Sequence, residues 1–214
     1  NKVLPPIRQR LKGGVSVHLQ AAGKNDKKAF GVSLVHLRQL ARDFNTDNQL
    51  AERLCFRDVR ETVIVATMLA DTDGLTDEQL NEWAPQIVNS EIAEQIAFNL
   101  LGRRKDVESL VESWLFHPLI YVRYAALMAM GWHFRFMGNG LSALILRNLS
   151  TLKDLASDKI LVRAVAHCLK MAGRFDGALK GPVTQLAETW SRGDDMLLRR
   201  AGLDILDEVN LDNQ

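Results

Sequence analysis

The sequence predicts an all-α fold, a right-handed α-solenoid of helix pairs with a concave basic groove. Three observations carry that expectation. Between Pro118 and Trp132, the stretch PLIYVRYAALMAMGW holds one charged side chain, Arg123, among apolar, small and aromatic positions. A helix of that composition has to be covered on more than one side. The pattern then returns. SDKILVRAVAHCLKMAG (157 to 173) places Arg163 in the matching slot, and GDDMLLRRAGLDILDEV (193 to 209) places Arg199 there. Upstream, VRETVIVATMLAD puts Arg60 in the slot and IAEQIAFNLLG puts Glu94 there. The third observation is the spacing. The steps along the row Arg60, Glu94, Arg123, Arg163, Arg199 are 34, 29, 40 and 36 residues. That is the size of a helix-pair repeat, and its irregularity suggests HEAT-like units.

In chain order, residues 3 to 22 predict a pair of short helices broken at Gly13-Gly14, and AAGKNDKKAFG (21 to 31) a polar, basic loop. Ser33 is the expected cap of a helix carrying Leu34, Leu37, Leu40 and Ala41 at helical spacing. Gln49 to Leu54 form a short helix. The run TVIVATMLA (62 to 70) has the β-branched residues of a buried strand. Its flanks align with the other repeats and no partner strand is evident, so it is assigned helix. Thr76 and Gln79 have capping-box spacing for a helix to Trp83. Asn89 or Ser90 opens the Glu94 helix, which ends near Gly102. Asp106 to Phe116 precede Pro118, placed at a helix start where its missing N–H costs nothing. Gly138 and Gly140 mark a turn before 141 to 155. Ser157 and Asp158 are expected to cap the Arg163 helix and Gly173 to close it. Gly181-Pro182 predicts a kink or a start. No linker or low-complexity segment stands out. The chain is read as a single repeat domain over 1 to 214. Residues 1 to 32 are its basic N-terminal helices and loop, 33 to 209 its repeats, and 210 to 214 its acidic tail.

The net charge is only +1, but it is unevenly spread. From Asn1 to Arg42 there are nine Lys or Arg against one acid, and from Asp204 to Gln214 four acids and no base. A basic front end suits a polyanionic partner, and equally a solvated helical surface. Cys55 and Cys168 lack CxxC or Cys/His spacing, which argues against a disulfide framework or a thiol zinc site and fits a reduced, cytoplasmic compartment. No apolar run approaches the roughly 20 residues that span a bilayer, and no secretory leader is recognised. The start at Asn1 without Met suggests that a few residues precede it.

The row of charges has two readings. On the second helices of a curved stack, equivalent positions line the inner wall, where arginines meet a phosphate backbone. Alternatively, each Arg pairs with an acid of the neighbouring repeat, and Asp158 and Asp195 are candidate partners. Glu94, alone among bases, heads the largely apolar helix of Ile92, Ala93, Ile96, Ala97, Phe98 and Leu100, with Ser90 one turn before it. Its structural role would be a salt bridge to Arg60 or Arg123.

Four stretches carry a resemblance: FGVSLVHLRQLARDF (30 to 44), LAERLCFRDVRETVIVATMLAD (50 to 71), LTDEQLNEWAPQIVNSEIAEQIAFNLLGR (75 to 103) and the Arg123 block. Gly31-Val32-Ser33 with Leu37-Arg38, the Glu61 segment and Trp83 follow one another in the order and spacing of the HEAT-repeat DNA alkylation repair proteins, the AlkD-like DNA glycosylases. The chain resembles that family over most of residues 30 to 175. The resemblance implies a concave, basic groove for double-stranded, alkylated DNA. It also implies base excision repair by release of cationic N3- or N7-alkylpurines, without cofactor or metal, by a monomer. A cationic alkylpurine leaves as a neutral base, so a fixed carboxylate that stabilises positive charge developing on the deoxyribose is the main requirement.

Carried over position by position, the resemblance puts the catalytic carboxylate at Glu94 and the phosphate-gripping arginine at Arg123. The family's two pocket tryptophans fall on Ser90 and His167. The further DNA contacts it suggests are Arg163, Arg60, Arg199, Arg200, Arg38, Lys27 and Lys28. The alternative is a non-catalytic repeat protein that binds DNA or a protein partner in its groove, since neither tryptophan position keeps an aromatic wall. A metal oxygenase on the same scaffold needs paired His-Glu dipeptides, and none of the five histidines is followed by Glu. Trp114, Trp132 and Trp190 follow helical apolar spacing and are read as packing residues.

Overall fold

In the computed structural model, residues 29–210 are described. The helices expected over 3 to 22, most of the basic loop, Lys27 and Lys28, and the end of the acidic tail lie outside them. Among the described residues there are twelve α-helices, two short 3₁₀ turns and no β-strand. They fall into two compact units that meet in sequence at Leu100–Leu101.

The first unit holds α1 (Leu34–Ala41), α2 (Asn48–Cys55), α3 (Arg60–Leu69), α4 (Asp77–Trp83) and α5 (Ser90–Asn99). Helix α2 pairs with α3, and α3 lies between α1 and α5. The β-branched run is helical: in α3 every residue but Met68 is buried. A run apolar on all sides suits a helix covered on all sides. The two threonines in it turn their hydroxyls back to the carbonyls of Val59 and Ile64, at 2.8 and 2.7 Å. Thr76 and Gln79 close the expected capping box, and Asn89 caps α5 through the Ile92 amide. Ser33 does stand at the N-cap of α1, but its hydroxyl bonds His36 Nδ1 and leaves the helix amides uncapped.

The first unit is tied together by charges in its interior. The Glu61 carboxylate is fully buried and accepts the amides of Phe30 and Val32 at 3.1 and 3.2 Å, and Arg60 Nη1 at 3.1 Å. Two amides two residues apart converge on one carboxylate because Gly31 between them has φ 73°, which L residues rarely adopt. Arg60 completes the cluster: it reaches the Val32 carbonyl at 3.1 Å and grips Glu91 of α5 through both Nε and Nη2.

The second unit holds α6 (Glu108–Leu115), α7 (Ile120–Met137), α8 (Ser142–Arg147), α9 (Leu149–Leu155), α10 (Val162–Phe175), α11 (Gly177–Ser191) and α12 (Met196–Val209). Helix α6 pairs with α7 and α11 with α12, while α10 packs against both α7 and α12. Lys170 reaches Asp204 at 3.0 Å and Arg174 reaches Glu208. Both pairs are 34 residues apart, so α10 and α12 run parallel in one register.

Two expectations are corrected here, and of the kink or start expected at Gly181-Pro182 the start is excluded. The segment 141 to 155 is two helices, broken at buried Asn148, whose amide donates to Glu112 and to the Leu144 carbonyl. Gly173 does not close α10. It sits inside the helix, where a Cβ would lie 2.9 Å from Val209 Cγ2, and the helix ends two residues later at Phe175. Pro182 lies inside α11, which starts at Gly177 with Asp176 as its cap. Cys55 and Cys168 are both buried, and burial pushes the Cys168 thiol up to about 12.

Two substitutions test this packing. Glu61→Ala leaves two amides without their acceptor and removes one of the two carboxylates at buried Arg60, and is expected to destabilise the first unit by about 3 kcal/mol or more in urea unfolding. Gly202→Ala places a Cβ 2.5 Å from the Ala187 carbonyl oxygen and 2.8 Å from the Ser191 amide. Because backbone has to move, a loss of about 1–3 kcal/mol is expected, read as a lower thermal midpoint.

Candidate nucleic-acid interface

On α5, Ser90, Glu94 and Phe98 follow at four-residue steps and share one face. Ser90 is exposed, and Glu94 and Phe98 are half-buried. The Arg38 guanidinium of α1 lies 5.9 Å from the Phe98 ring centroid, so a cation and an aromatic surface flank the α5 face that carries the carboxylate. Phe98 appeared in the sequence only as one apolar position among several. Its signal was its place one turn after Glu94.

Arg60 is withdrawn from the row of phosphate contacts. It is 7% exposed, and its donors are committed to Glu91, Glu61 and the Val32 carbonyl. The expected partner pairing also changes, since Arg60 is bridged by Glu91 and Glu61 and not by Glu94. The slot itself is looser than the sequence suggested. Arg60 is the first residue of its helix, Glu94 the fifth, Arg123 the fourth, Arg163 the second and Arg199 the fourth.

In the second unit, Arg123 is half-buried on α7, and its Nε is buried without a hydrogen-bond partner. Arg163 and Arg200 are exposed, on α10 and α12. Arg199 is exposed too, but Nε and Nη2 both donate to the Gly193 carbonyl, at 3.0 and 2.8 Å, so one edge of the guanidinium holds its own loop. Asp158 and Asp195, the candidate partners of the arginines, instead accept backbone amides. Asp195 takes those of Leu197 and Leu198, and Asp158 those of Ile160 and Leu161.

His167 is half-buried one turn after Arg163, with its Nε2 buried and unpartnered. Its ring leans on Trp132, centroids 4.8 Å apart and planes tilted by 52°. It approaches α7 so closely that a Cβ on Gly131 would lie 2.6 Å from its Cδ2. Burial first, then the positive charges of Lys170 and Arg163, hold the imidazole down at about 4 against the opposing pull of Asp204. The ring is therefore neutral at physiological pH. Trp114 and Trp190 are packing residues, 1% and 4% exposed, but Trp132 is half-buried. It stacks on Phe136 at 5.6 Å, and the Arg103 guanidinium caps Phe136 at 3.9 Å. That column of Arg103, Phe136, Trp132 and His167 was not visible in the sequence, because it joins a 3₁₀ turn, α7 and α10. Among the described residues, no group of three or more His, Cys, Asp or Glu is placed to hold a metal ion, and no helix is long and apolar enough to cross a membrane.

Side-by-side helices of successive pairs, carrying arginines near their starts, define a HEAT-like helical-repeat protein. The chain belongs to the DNA alkylation repair enzyme family, whose model matches residues 14–181. Among solved structures it is similar to one described as belonging to "a new family of proteins related to the HEAT-like repeat DNA glycosylases with affinity for branched DNA structures". The TM-score is 0.77 at 15% identity, over 96% of this chain and 93% of that one, a likeness that shows the fold. No curated protein sequence matches the chain.

The His167 geometry carries a pH prediction. Its folded value lies below the ordinary 6.5 or so, so between these values the unfolded chain binds more protons and stability falls as pH is lowered. Stability should be fully present above about pH 6.5 and decline toward about pH 4. His167→Gln should flatten that decline, leaving the part due to buried His133, whose imidazole is also pushed down by burial. Urea titrations across this pH range measure both.

Proposed function

We propose that the chain is a DNA-binding alkylation-repair protein that excises cationic N3- and N7-alkylpurines from double-stranded DNA. The observation that carries the reading is Glu94: a half-buried carboxylate on the second helix of its pair, with Phe98 one turn on and the Arg38 cation at that ring. In this role Glu94 faces the deoxyribose, stabilises the positive charge that grows there as the neutral base departs, and orients the attacking water. Partial burial favours this, because a carboxylate shielded from solvent acts more strongly on a nearby charge. Arg123, Arg163 and Arg200 hold the phosphate backbone, and the resemblance supports Arg123 in particular as a phosphate grip. By the resemblance, the neutral His167 ring, braced by Trp132, stands at one of the family's two aromatic-wall positions, and the exposed Ser90 stands at the other.

A second reading, binding of DNA without excision, is favoured by that same pair of positions. An exposed serine offers no face to a cationic purine, and a neutral imidazole pinned against Gly131 and Trp132 offers a smaller one than indole.

Single-turnover release of 7-methylguanine and 3-methyladenine from methylated duplex separates the two. Excision predicts measurable release that Glu94→Gln lowers by about 100-fold or more, with duplex affinity retained. Equal, background-level release by both proteins, with binding intact, leaves the second reading. Duplex binding should weaken steeply with salt, and Arg123→Ala should reduce that slope. A salt-insensitive or absent complex defeats both.

A further inference from the structure

We infer that Asn139-Gly140, in the turn between α7 and α8, is a site of covalent self-modification, where the Gly140 nitrogen closes onto the Asn139 side chain and converts it to aspartate and isoaspartate. The inference stands independently of DNA binding. Asn139 is the one asparagine of the chain that is followed by glycine. A side chain on the following residue hinders the approach of its nitrogen to the asparagine amide, and glycine brings none. The folded turn leaves the pair accessible, since Asn139 and Gly140 are both exposed. Among the described residues no acceptor holds the Gly140 amide.

The backbone around the pair is open in a way that other candidate turns are not. Gly138, just before it, has φ 87°, and a Cβ there would meet nothing within 4 Å. A Cβ on Gly140 would meet a single neighbour, His133 Nε2 at 3.3 Å. Two further turns place glycine after an aspartate, a combination that can close the same ring. Asp73-Gly74 is locked: the Gly74 amide donates to the Asp71 carbonyl at 3.2 Å, and a Cβ on Gly74 would lie 2.7 Å from Asn48 Nδ2. At Asp176-Gly177 the acid is buried, and its carboxylate accepts the Ala178 amide at 2.9 Å.

The chemistry needs only water. The Gly140 nitrogen gives up its proton and bonds Cγ of Asn139, the Cγ–Nδ2 bond breaks, and ammonia leaves a cyclic imide behind. Water then adds at either imide carbonyl carbon. Addition at Cγ gives aspartate, and addition at the main-chain carbon gives isoaspartate, with the chain rerouted through Cγ. Either product carries a new negative charge. The rerouting matters more, because the main-chain carbonyl of Asn139 accepts the Ser142 amide at 3.1 Å and lies 2.6 Å from the Ser142 hydroxyl. That hydroxyl also meets the carboxylate of Asp176, the cap of α11. In isoaspartate the former carbonyl is a carboxylate on a branch, so one hydroxyl stands between two like charges. The start of α8 is then no longer tied to the start of α11.

Peptide mass mapping of the folded protein, aged in mildly alkaline buffer at physiological temperature, tests the assignment. The peptide containing Asn139 should gain the mass difference between an amide and a carboxyl group and split into two chromatographic forms. One of them should be a substrate for an isoaspartate-specific methyltransferase. Peptides carrying the other asparagines should stay unchanged over the same interval. Asn139→Gln, at an exposed position where the longer side chain cyclises poorly, should lose the mass gain and melt at the wild-type midpoint before ageing. After ageing, the wild type should melt at a lower midpoint than Asn139→Gln. The chain aged in guanidinium serves as the reference for the reaction without the fold. Conversion there but none in the folded protein would overturn the site, since the turn would then forbid the attack. Faster conversion at another asparagine of the folded chain would remove Asn139 as the place of modification. Conversion with no difference in midpoint would refute the tie between Asn139 and the two helix starts.

Discussion

Stacked helices can bury a charge only where its partner is built in, and in the first unit that constraint is met at Glu61. One carboxylate takes two backbone amides from the segment before α1 and one guanidinium from α3, and that guanidinium in turn takes Glu91 of α5. Three elements that are not neighbours in sequence, the segment before α1, α3 and α5, are fixed to one another through a single interior cluster. A buried arginine left by itself would be costly, and so would a buried carboxylate. Together, with the Val32 carbonyl and the Phe30 and Val32 amides, their hydrogen-bonding needs are met, and the entry segment is held against α3. The second unit follows the same need differently, with cross-helix pairs at the edges, Lys170 with Asp204 and Arg174 with Glu208, which solvent screens.

The same constraint decided which parts of the sequence were legible. Helix existence was, because burial on several sides leaves a near-continuous apolar run, as in 120–137, and because caps such as Thr76 and Asn89 announce themselves by residue type. Even the strand-like run of α3 was resolved by its flanks. What failed was local punctuation. Gly173 looks like a stop, but its missing Cβ serves the close approach of Val209 and Val183 on other helices, a fact that no local window contains. Asn148 looks like an ordinary helix residue, yet Glu112, 36 residues away, takes its side-chain amide at a break.

The candidate site was legible in part for a similar reason. An equivalent slot in each repeat identifies a position on a helix but not what faces it. Arg60 and Arg163 look alike in sequence. One is enclosed by two glutamates, and the other stands exposed at a cleft. Glu91 grips Arg60 from the neighbouring helix, whereas Leu197, Arg200 and Asp204 line the cleft at Arg163. The Trp132 column was hidden in the same way, since its members are spread over residues 103 to 167 and meet only when α7 and α10 pack.

The placement of the two thiols has a consequence for a protein of this family. A thiol reacts with electrophiles as the thiolate, and the Cys168 side chain is both sealed from solvent and held in its protonated form far above neutral pH. Cys55 is similarly sealed, at 1% exposure. Electrophiles in the solvent therefore reach neither sulfur while the chain stays folded.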